Sequence, residues 1–379
     1  MTTVEASPST FDASWTDAMV MEQVTSLAEG PLADAAYRID HEGHYPREIM
    51  AGLGRAGAFG AHLSPAGGRY GLALDAMRAI SRRCGSTGFL TWCHDVCGLY
   101  MDASGNPALQ PLLATHASGA TLGGTALSNP MKAFAGIEKM LLRATRVAGG
   151  YRINGALPWV SHIAPGQYCG AIATVYRDDG TPSHDIMFML HCAGAVTLRQ
   201  CPEFSGMEGT STWGVRVDDL FVGEDLLIAD PAQPFIARIR AAFILLQIGM
   251  ATGIVQGSID AMQEVEPLLG HVNQFLNDRP DEMQGELDEL EQRVARLAQS
   301  PFDGSKDYLL DVLDARAQGA ELALRASQSA LLHQGARGYL ISSAAQRRVR
   351  EAHFAAIVTP AIKHLRWEMA RLSREEMPA

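Results

Sequence analysis

The stretch ATHASGATLGGTALSNP, Ala114 to Pro130, divides the 379-residue chain into two unlike parts. Upstream of it apolar residues recur at helical spacing, Ile49 with Leu53 and then Leu74, Met77 and Ile80, around the Gly-rich GAFGAHLSPAGGRYG. Immediately before it, GFLTWCHDVCGLYMDASGNPALQPLLATHASG reads as two helices joined at Gly105, Asn106 and Pro107. At its end Ser128 and Asn129 precede Pro130, which is turn chemistry, and the proline stops any strand ladder. A turn is therefore expected where the helical part gives way.

Downstream the period changes to short β-rich runs separated by turn dipeptides: MLLRATRV, YRING, CGAIATVY, IMFML, VTLRQC and WGVRVDDLFV. Their alternation suits a small antiparallel barrel or sandwich with one wet face. From Phe235 helices return. The apolar run 241–255, interrupted by Gln247, Gly249 and Gly253, is too short to span a bilayer and reads as a buried helix. Met283, Leu287, Leu290, Val294 and Leu297 step by four and three, the seam of a bundle helix, and RPDE just before it reads as a loop. The Ala-rich segment 311–332 suits close helix packing or a subunit interface. The expected fold is α+β, mainly α: an N-terminal helical domain (1–122), a central antiparallel β domain (123–232) and a C-terminal four-helix bundle (233–379).

A formal net charge of -11 argues against nucleic acid or an anionic membrane as partner, since both need clustered Lys and Arg. The first twenty residues lack a basic n-region and an apolar core, so they read as a loose leader rather than a secretory signal. Six cysteines form no CxxC pair, which fits reduced thiols and a cytoplasmic location. Cys93, His94 and Cys97 share a helical surface, but no second ligand cluster completes a four-ligand site and no metal is expected.

Four motifs, in order, resemble the acyl-CoA dehydrogenase superfamily. ATHASGATLGGTALSNP is similar to the approach to "A-[LV]-T-E-P", and YRINGALPWVSHI to "Y-x-[LI]-N-G-x-K-x-W-[IV]-T". GMEGTSTWGVRVDDLFVGEDLLI resembles the segment closing the β domain, and QGARGYLISSAAQRRVRE the "G-G-x-G-Y" stretch near the C-terminus. The resemblance implies a flavin, FAD or the smaller FMN, held between β domain and bundle. It also implies a homodimer or homotetramer whose neighbour completes the cofactor site, and a small-molecule substrate such as a CoA thioester.

A flavin ring needs hydrogen-bond donors along its polar edge and an apolar wall against its face. By the resemblance these come from Leu127, Ser128, Trp159 and Ser161, with Gly335, Gly338 and Thr359 as further contacts. On residue grounds alone Trp159 reads as a β-domain core aromatic and Ser161 as a strand-end cap.

Departures from the family bear on the reaction. The "Y-E-G-T" glutamate that takes the substrate α proton falls on Thr359, a hydroxyl far too weak for that task near neutrality. The base that a minority of members carry on an earlier helix falls on Ile239 or Phe243, depending on register. The arginine that pairs with the FAD diphosphate falls on Leu269, a loss of about 1.5 to 3 kcal/mol unless another cation compensates. The Gly-Ser-Asp after "T-E-P" becomes Ala133, Phe134 and Ala135, which re-lines the pocket.

Other differences resemble the oxygenases of this fold, the dibenzothiophene monooxygenase group. There the glutamate of "T-E-P" is Asn, matched by Asn129; the threonine of "W-[IV]-T" is Ser, matched by Ser161; and a histidine in the helical domain is matched by His94. Uncharged donors suit oxygen bound at a flavin, where a carboxylate would repel it. His94 also reads as a satisfied core histidine, and His364 and His162 rank after it as pocket candidates. The expected catalytic set is therefore His94, Asn129, Ser161 and His364.

The leading expectation is an oxygenase working through a flavin–oxygen adduct on an acyl-CoA thioester or aromatic small molecule, in specialised metabolism of the tropone-antibiotic type. A separate flavin reductase would then be a partner. The alternatives are acyl-CoA desaturation with an unusual base, such as Glu351 or a histidine, and a non-catalytic homologue.

Overall fold

A computed structural model describes residues 15–374, so most of the expected leader lies outside the described residues. Its last part belongs to a helix instead: Thr16 caps α1 (Asp17–Leu27) by accepting the Met19 N–H at 3.3 Å. There follow α2 (Ala33–His41), α3 (Arg47–Arg55), α4 (Tyr70–Arg83), α5 (Gly85–Ser104) and α6 (Gln110–Ala117). The α5 helix ends at Gly105, whose φ of 76° is the left-handed conformation a glycine adopts without cost, and the chain re-enters helix at Pro107.

The strands form one sheet. They are β1 (Gly123–Thr125), β2 (Leu142–Val147), β3 (Gly150–Val160), β4 (Tyr168–Tyr176), β5 (Pro182–His191), β6 (Val196–Gln200), β7 (Trp213–Gly223) and β8 (Leu227–Ala229). Their order is β6-β7-β3-β2-β4-β5-β8, with β1 beside β4. The expected antiparallel barrel or sandwich is thus corrected to a mixed sheet. After the β2–β3 hairpin the chain passes to the far side of β2, so β4 runs parallel to β2 and also to β1. A connection of that kind leaves the alternation of each strand unchanged, so periodicity carries no sign of it.

The Ser128–Pro130 turn is also corrected. Ser128 opens a short helix, α7 (Ser128–Phe134), and Pro130 sits in its first turn, where a missing N–H costs nothing.

Among the described residues the C-terminal part comprises α8 (Ala232–Asn273), α9 (Pro280–Leu297), α10 (Lys306–Gln334), α11 (Ala344–Ile357) and α12 (Ile362–Arg374), five helices where four were expected. The apolar run 241–255 lies within α8; this helix is long and apolar enough to cross a membrane, but its most apolar window is 94% buried inside the protein. The seam from Met283 to Leu297 is buried throughout. RPDE is not a loop: Pro280 opens α9, and Glu282 accepts the Arg279 N–H at 3.3 Å.

The QRRVRE segment on α11 ties the bundle to the helical domain. Arg347 and Arg348 donate to the Arg83 and Arg82 carbonyls at the end of α4, at 2.6 and 3.1 Å. Glu351 accepts the Gly85 N–H that opens α5, at 3.0 Å, where the helix dipole favours a carboxylate. Arg350 grips the buried Asp40 of α2 at 2.7 Å. These bonds fix α4, α5 and α11 against one another beside the sheet.

Candidate functional site

Where the sheet, α5, α8 and the α11–α12 connection meet there is a cavity of about 240 Å³. TALSNP supplies one wall with Thr125, Leu127 and Ser128, the end of β3 and the residue after it supply Trp159 and Ser161, and the far wall includes Val358 and Thr359. Five expected cofactor contacts, Leu127, Ser128, Trp159, Ser161 and Thr359, are therefore brought together. Trp159 is not a core aromatic: it is 59% exposed, edge-on to Phe204 at 6.2 Å.

The hydroxyls are linked. Ser128 Oγ lies 2.9 Å from Thr359 Oγ1, so the opening motif meets the position where a glutamate is lost. Ser161 Oγ lies 2.6 Å from Thr212 Oγ1, which lies 2.9 Å from Thr210 Oγ1. Thr125 Oγ1 lies 2.8 Å from the Tyr100 hydroxyl. The Thr359 carbonyl accepts from Gln247 Nε2 at 3.0 Å, and Gln247 Oε1 accepts from Arg316 Nε at 2.9 Å. Arg316 is fully buried and also donates to the Ala355 carbonyl at 2.6 Å, yet its Nη1 has no partner; burial lowers its pKa to about 10. The one charged side chain lining the cavity is Lys132, paired with Glu138 at 2.8 Å.

His94 is corrected from a pocket residue to a core residue. It is fully buried and stacks on His116 with ring centroids 3.5 Å apart. The His94 and His116 Nε2–H groups each donate to the other's carbonyl, at 2.9 and 2.8 Å. That leaves His94 Nδ1 to accept from His162 Nε2 at 3.4 Å, His162 Nδ1 to accept from the Tyr45 hydroxyl at 3.0 Å, and His116 Nδ1 to accept from the Tyr168 hydroxyl at 2.8 Å. One set of neutral tautomers satisfies every bond. Burial pushes all three pKa values down, to about 3 for His162 and well below the usual histidine value for His94 and His116; His62, donating to the Asp95 carbonyl, falls to about 4 for the same reason.

Asn129 does not offer its amide to the cavity. Its Nδ2 donates to Glu138 at 3.2 Å and the Lys139 carbonyl at 2.9 Å, and its Oδ1 accepts from the Leu141 N–H at 3.0 Å, so it pins the loop after α7. His364 lines a separate cleft of about 420 Å³, with Arg240, Trp367, Glu368, Phe134 and Ala135. Burial lowers its pKa. Gly335 and Gly338 lie at and just past the end of α10, away from the cavity lining. Glu351 Oε1 accepts from Gly85 and pairs with Arg347 at 3.2 Å, its Oε2 is buried without a hydrogen-bond partner, and the residue does not line the cavity. Of the two positions for the alternative base, Ile239 is core, whereas Phe243 lines the cavity. Among the described residues no group of three or more His, Cys, Asp or Glu is arranged to hold a metal.

Sequence reasoning did not single out Phe89, Trp92 or Phe354, and read Gln247 only as a break in an apolar run. The usable signal for Gln247 was an amide in the middle of an otherwise buried helix, which must be satisfied by something.

The helical domain, mixed sheet and C-terminal helices match the acyl-CoA dehydrogenase fold. Residues 15–119 match the acyl-CoA dehydrogenase N-terminal domain. The chain is 23% identical over 352 residues to a probable acyl-CoA dehydrogenase of Bacillus subtilis (strain 168), covering 88% of this chain and 91% of that one. The butyryl-CoA dehydrogenase of Megasphaera elsdenii superposes with a TM-score of 0.84 at 17% identity, covering 96% of this chain and 98% of that one. The dibenzothiophene monooxygenase of Paenibacillus sp. A11-2 superposes with a TM-score of 0.78 at 15% identity, covering 95% and 98%. Dehydrogenases and monooxygenases thus share this architecture.

Proposed function

We propose that the chain is a flavin-dependent oxidoreductase that spends its reducing equivalents on dioxygen, an oxygenase rather than a desaturase. The donor set fits a flavin ring. Ser128 and Ser161 line one cavity with uncharged hydroxyls, and Leu127 and the exposed Trp159 line it beside them. Bound flavin would supply a redox centre that, once reduced by a separate reductase, reacts with oxygen.

The observation that carries the reading is the Ser128–Thr359 hydroxyl pair. Desaturation needs a carboxylate at that wall to take a proton. Here the wall offers two hydroxyls, which hold neutral or oxygen-bearing groups by hydrogen bonds and take no proton near neutrality. Gln247 and Arg316 hold Thr359 in place, and Thr212 orients the Ser161 hydroxyl. Asn129 acts at one remove by pinning the loop that carries Glu138, the partner of Lys132.

Desaturation of an acyl thioester is the second reading. It is favoured by the names of the relatives and by the cleft where Glu368 sits beside His364, but Glu368 is bonded to Arg240 at 2.8 Å and to Arg371 at 2.7 Å. Self-association is part of the proposal, because Leu268, Val272 and Phe275 leave an apolar face exposed at the end of α8.

Mixing the reduced flavoprotein with oxygen in the presence of candidate substrates tests the reading. Product carrying oxygen from O₂ is expected. If hydrogen peroxide accounts for all the oxygen consumed across the substrate panel, the oxygenase reading fails.

A further inference from the structure

The chain makes an uncommon turn beside the cavity. Trp159 and Ser161, at and just past the end of β3, line the cavity, while Val160 between them is buried in the sheet core. An extended residue 162 would take the side that Val160 takes. Instead His162 has a φ of 61°, the left-handed region that a residue carrying a Cβ seldom adopts. Ser211 is left-handed too, at 47°; its carbonyl accepts the Ile163 N–H at 3.4 Å and its hydroxyl donates to the Ile163 carbonyl at 2.7 Å.

A conformation of this kind persists only where the surroundings fix it, and such residues gather at functional sites. Here the surroundings act from several sides. The His162 N–H donates to the Thr210 carbonyl at 2.9 Å. The imidazole, fully buried, accepts from the Tyr45 hydroxyl at 3.0 Å and donates to His94 at 3.4 Å, and Tyr45 in turn accepts from Gln167 Nε2 at 3.4 Å. Gly124 of β1 closes the other side, since a Cβ there would run into the Ser161 carbonyl. The helical domain, through Tyr45 and His94, therefore grips the residue next to Ser161.

We infer that His162 is a positioning residue: held in its left-handed turn by Tyr45, His94 and the Thr210 carbonyl, it ends the strand so that Ser161 stays on the cavity wall. This rests on the reading that flavin meets Ser161. His162 does not itself line the cavity and acts through the backbone it bends. Relaxing the turn shifts Ser161 away from Thr212, its hydroxyl partner at 2.6 Å.

The test compares His162→Asn with His162→Val. Both remove the imidazole from Tyr45 and His94, so both should lower stability in urea, but only asparagine adopts a left-handed backbone readily. FAD affinity, followed by flavin fluorescence, should stay within about twofold of the parent in the Asn variant and fall about tenfold in the Val variant. Hydrogen exchange at the amide of position 162, measured without flavin, should be about tenfold faster in the Val variant than in the Asn variant. Should the Val variant fail to fold, His162→Ala takes its place in both comparisons. Equal exchange in the two variants would overturn the account of the turn, and equal FAD affinity despite unequal exchange would overturn the positioning role. Ser161→Ala should itself weaken FAD about fivefold. If it does not, or if the protein retains no FAD, the flavin reading fails by itself, and the exchange comparison still decides what His162 does.

Discussion

Replacing Gln247 by Leu should destabilise the protein by about 4 to 6 kcal/mol, because this one amide satisfies two buried groups. Its Nε2 supplies the bond to the Thr359 carbonyl at 3.0 Å, and its Oε1 accepts one of the two hydrogen bonds Arg316 makes, at 2.9 Å. A buried carbonyl left bare costs about 1 to 3 kcal/mol, and a charged donor left bare about 1.5 to 3. Arg316 is already a poorly compensated cation, with Nη1 unpartnered and a pKa lowered to about 10 by burial, so the upper half of the range applies. Urea unfolding at neutral pH reads the loss. The two sites should be coupled: in a Gln247→Leu, Arg316→Met double variant the cation is gone, and the combined loss should fall short of the sum of the single losses by about 1.5 kcal/mol or more. A single-variant loss below about 1 kcal/mol, or simple additivity, would refute the argument that Gln247 anchors the cavity wall through Arg316.

Thr359→Val removes the hydroxyl that orients Ser128; stability should fall by about 1 kcal/mol and FAD affinity, followed by flavin fluorescence, by about fivefold. Unchanged affinity would mean that Ser128 does not face the flavin. The histidine cluster should stay neutral in mild acid, so among the twelve histidines the ring resonances of His62, His94, His116 and His162 should not move between pH 7.5 and about 5. Their folded-state pKa values lie below the unfolded value near 6.5. The stability they contribute is therefore complete above that pH and falls by about 1.4 kcal/mol per group per pH unit as the pH drops toward about 4 for His62 and about 3 for His162. Asp95, whose carboxyl burial pushes well above the usual carboxylate range, works in the opposite direction, which is why the resonances rather than the unfolding midpoint are the measurement. Titration of all four near pH 6.5 would contradict the neutral network.

The three-part architecture was legible because the hydrophobic period switches from helical to strand and back, and the motif order carried the fold. What periodicity cannot carry is connection: β2 and β4 look the same whether they pair parallel or antiparallel, so the sheet was misread. Asn-Pro after an apolar lead-in is as good a helix first turn as a turn proper, which is how Ser128 to Pro130 was misread. At the site, Leu127, Ser128, Trp159, Ser161 and Thr359 share one cavity, whereas Gly335 and Gly338, matched to a motif in the same way, lie away from it. His94 and Asn129 do not share it either, because a polar side chain in a motif has two destinations, the pocket or a buried partner, and only three-dimensional neighbours such as His116 and Glu138 decide between them. Phe89, Trp92 and Phe354 went unmarked for the converse reason: Phe and Trp on a helix have the spacing of core residues whether they border a cavity or fill one.

The central proposal is that the hydroxyl pair Ser128 and Thr359 stands where desaturation would need a base, so that the protein uses oxygen instead. Anaerobic titration of the FAD-loaded protein with butyryl-CoA, followed in the visible flavin band, tests it most directly. The band should persist at every concentration. Bleaching on mixing would show that a base is present and would contradict the account.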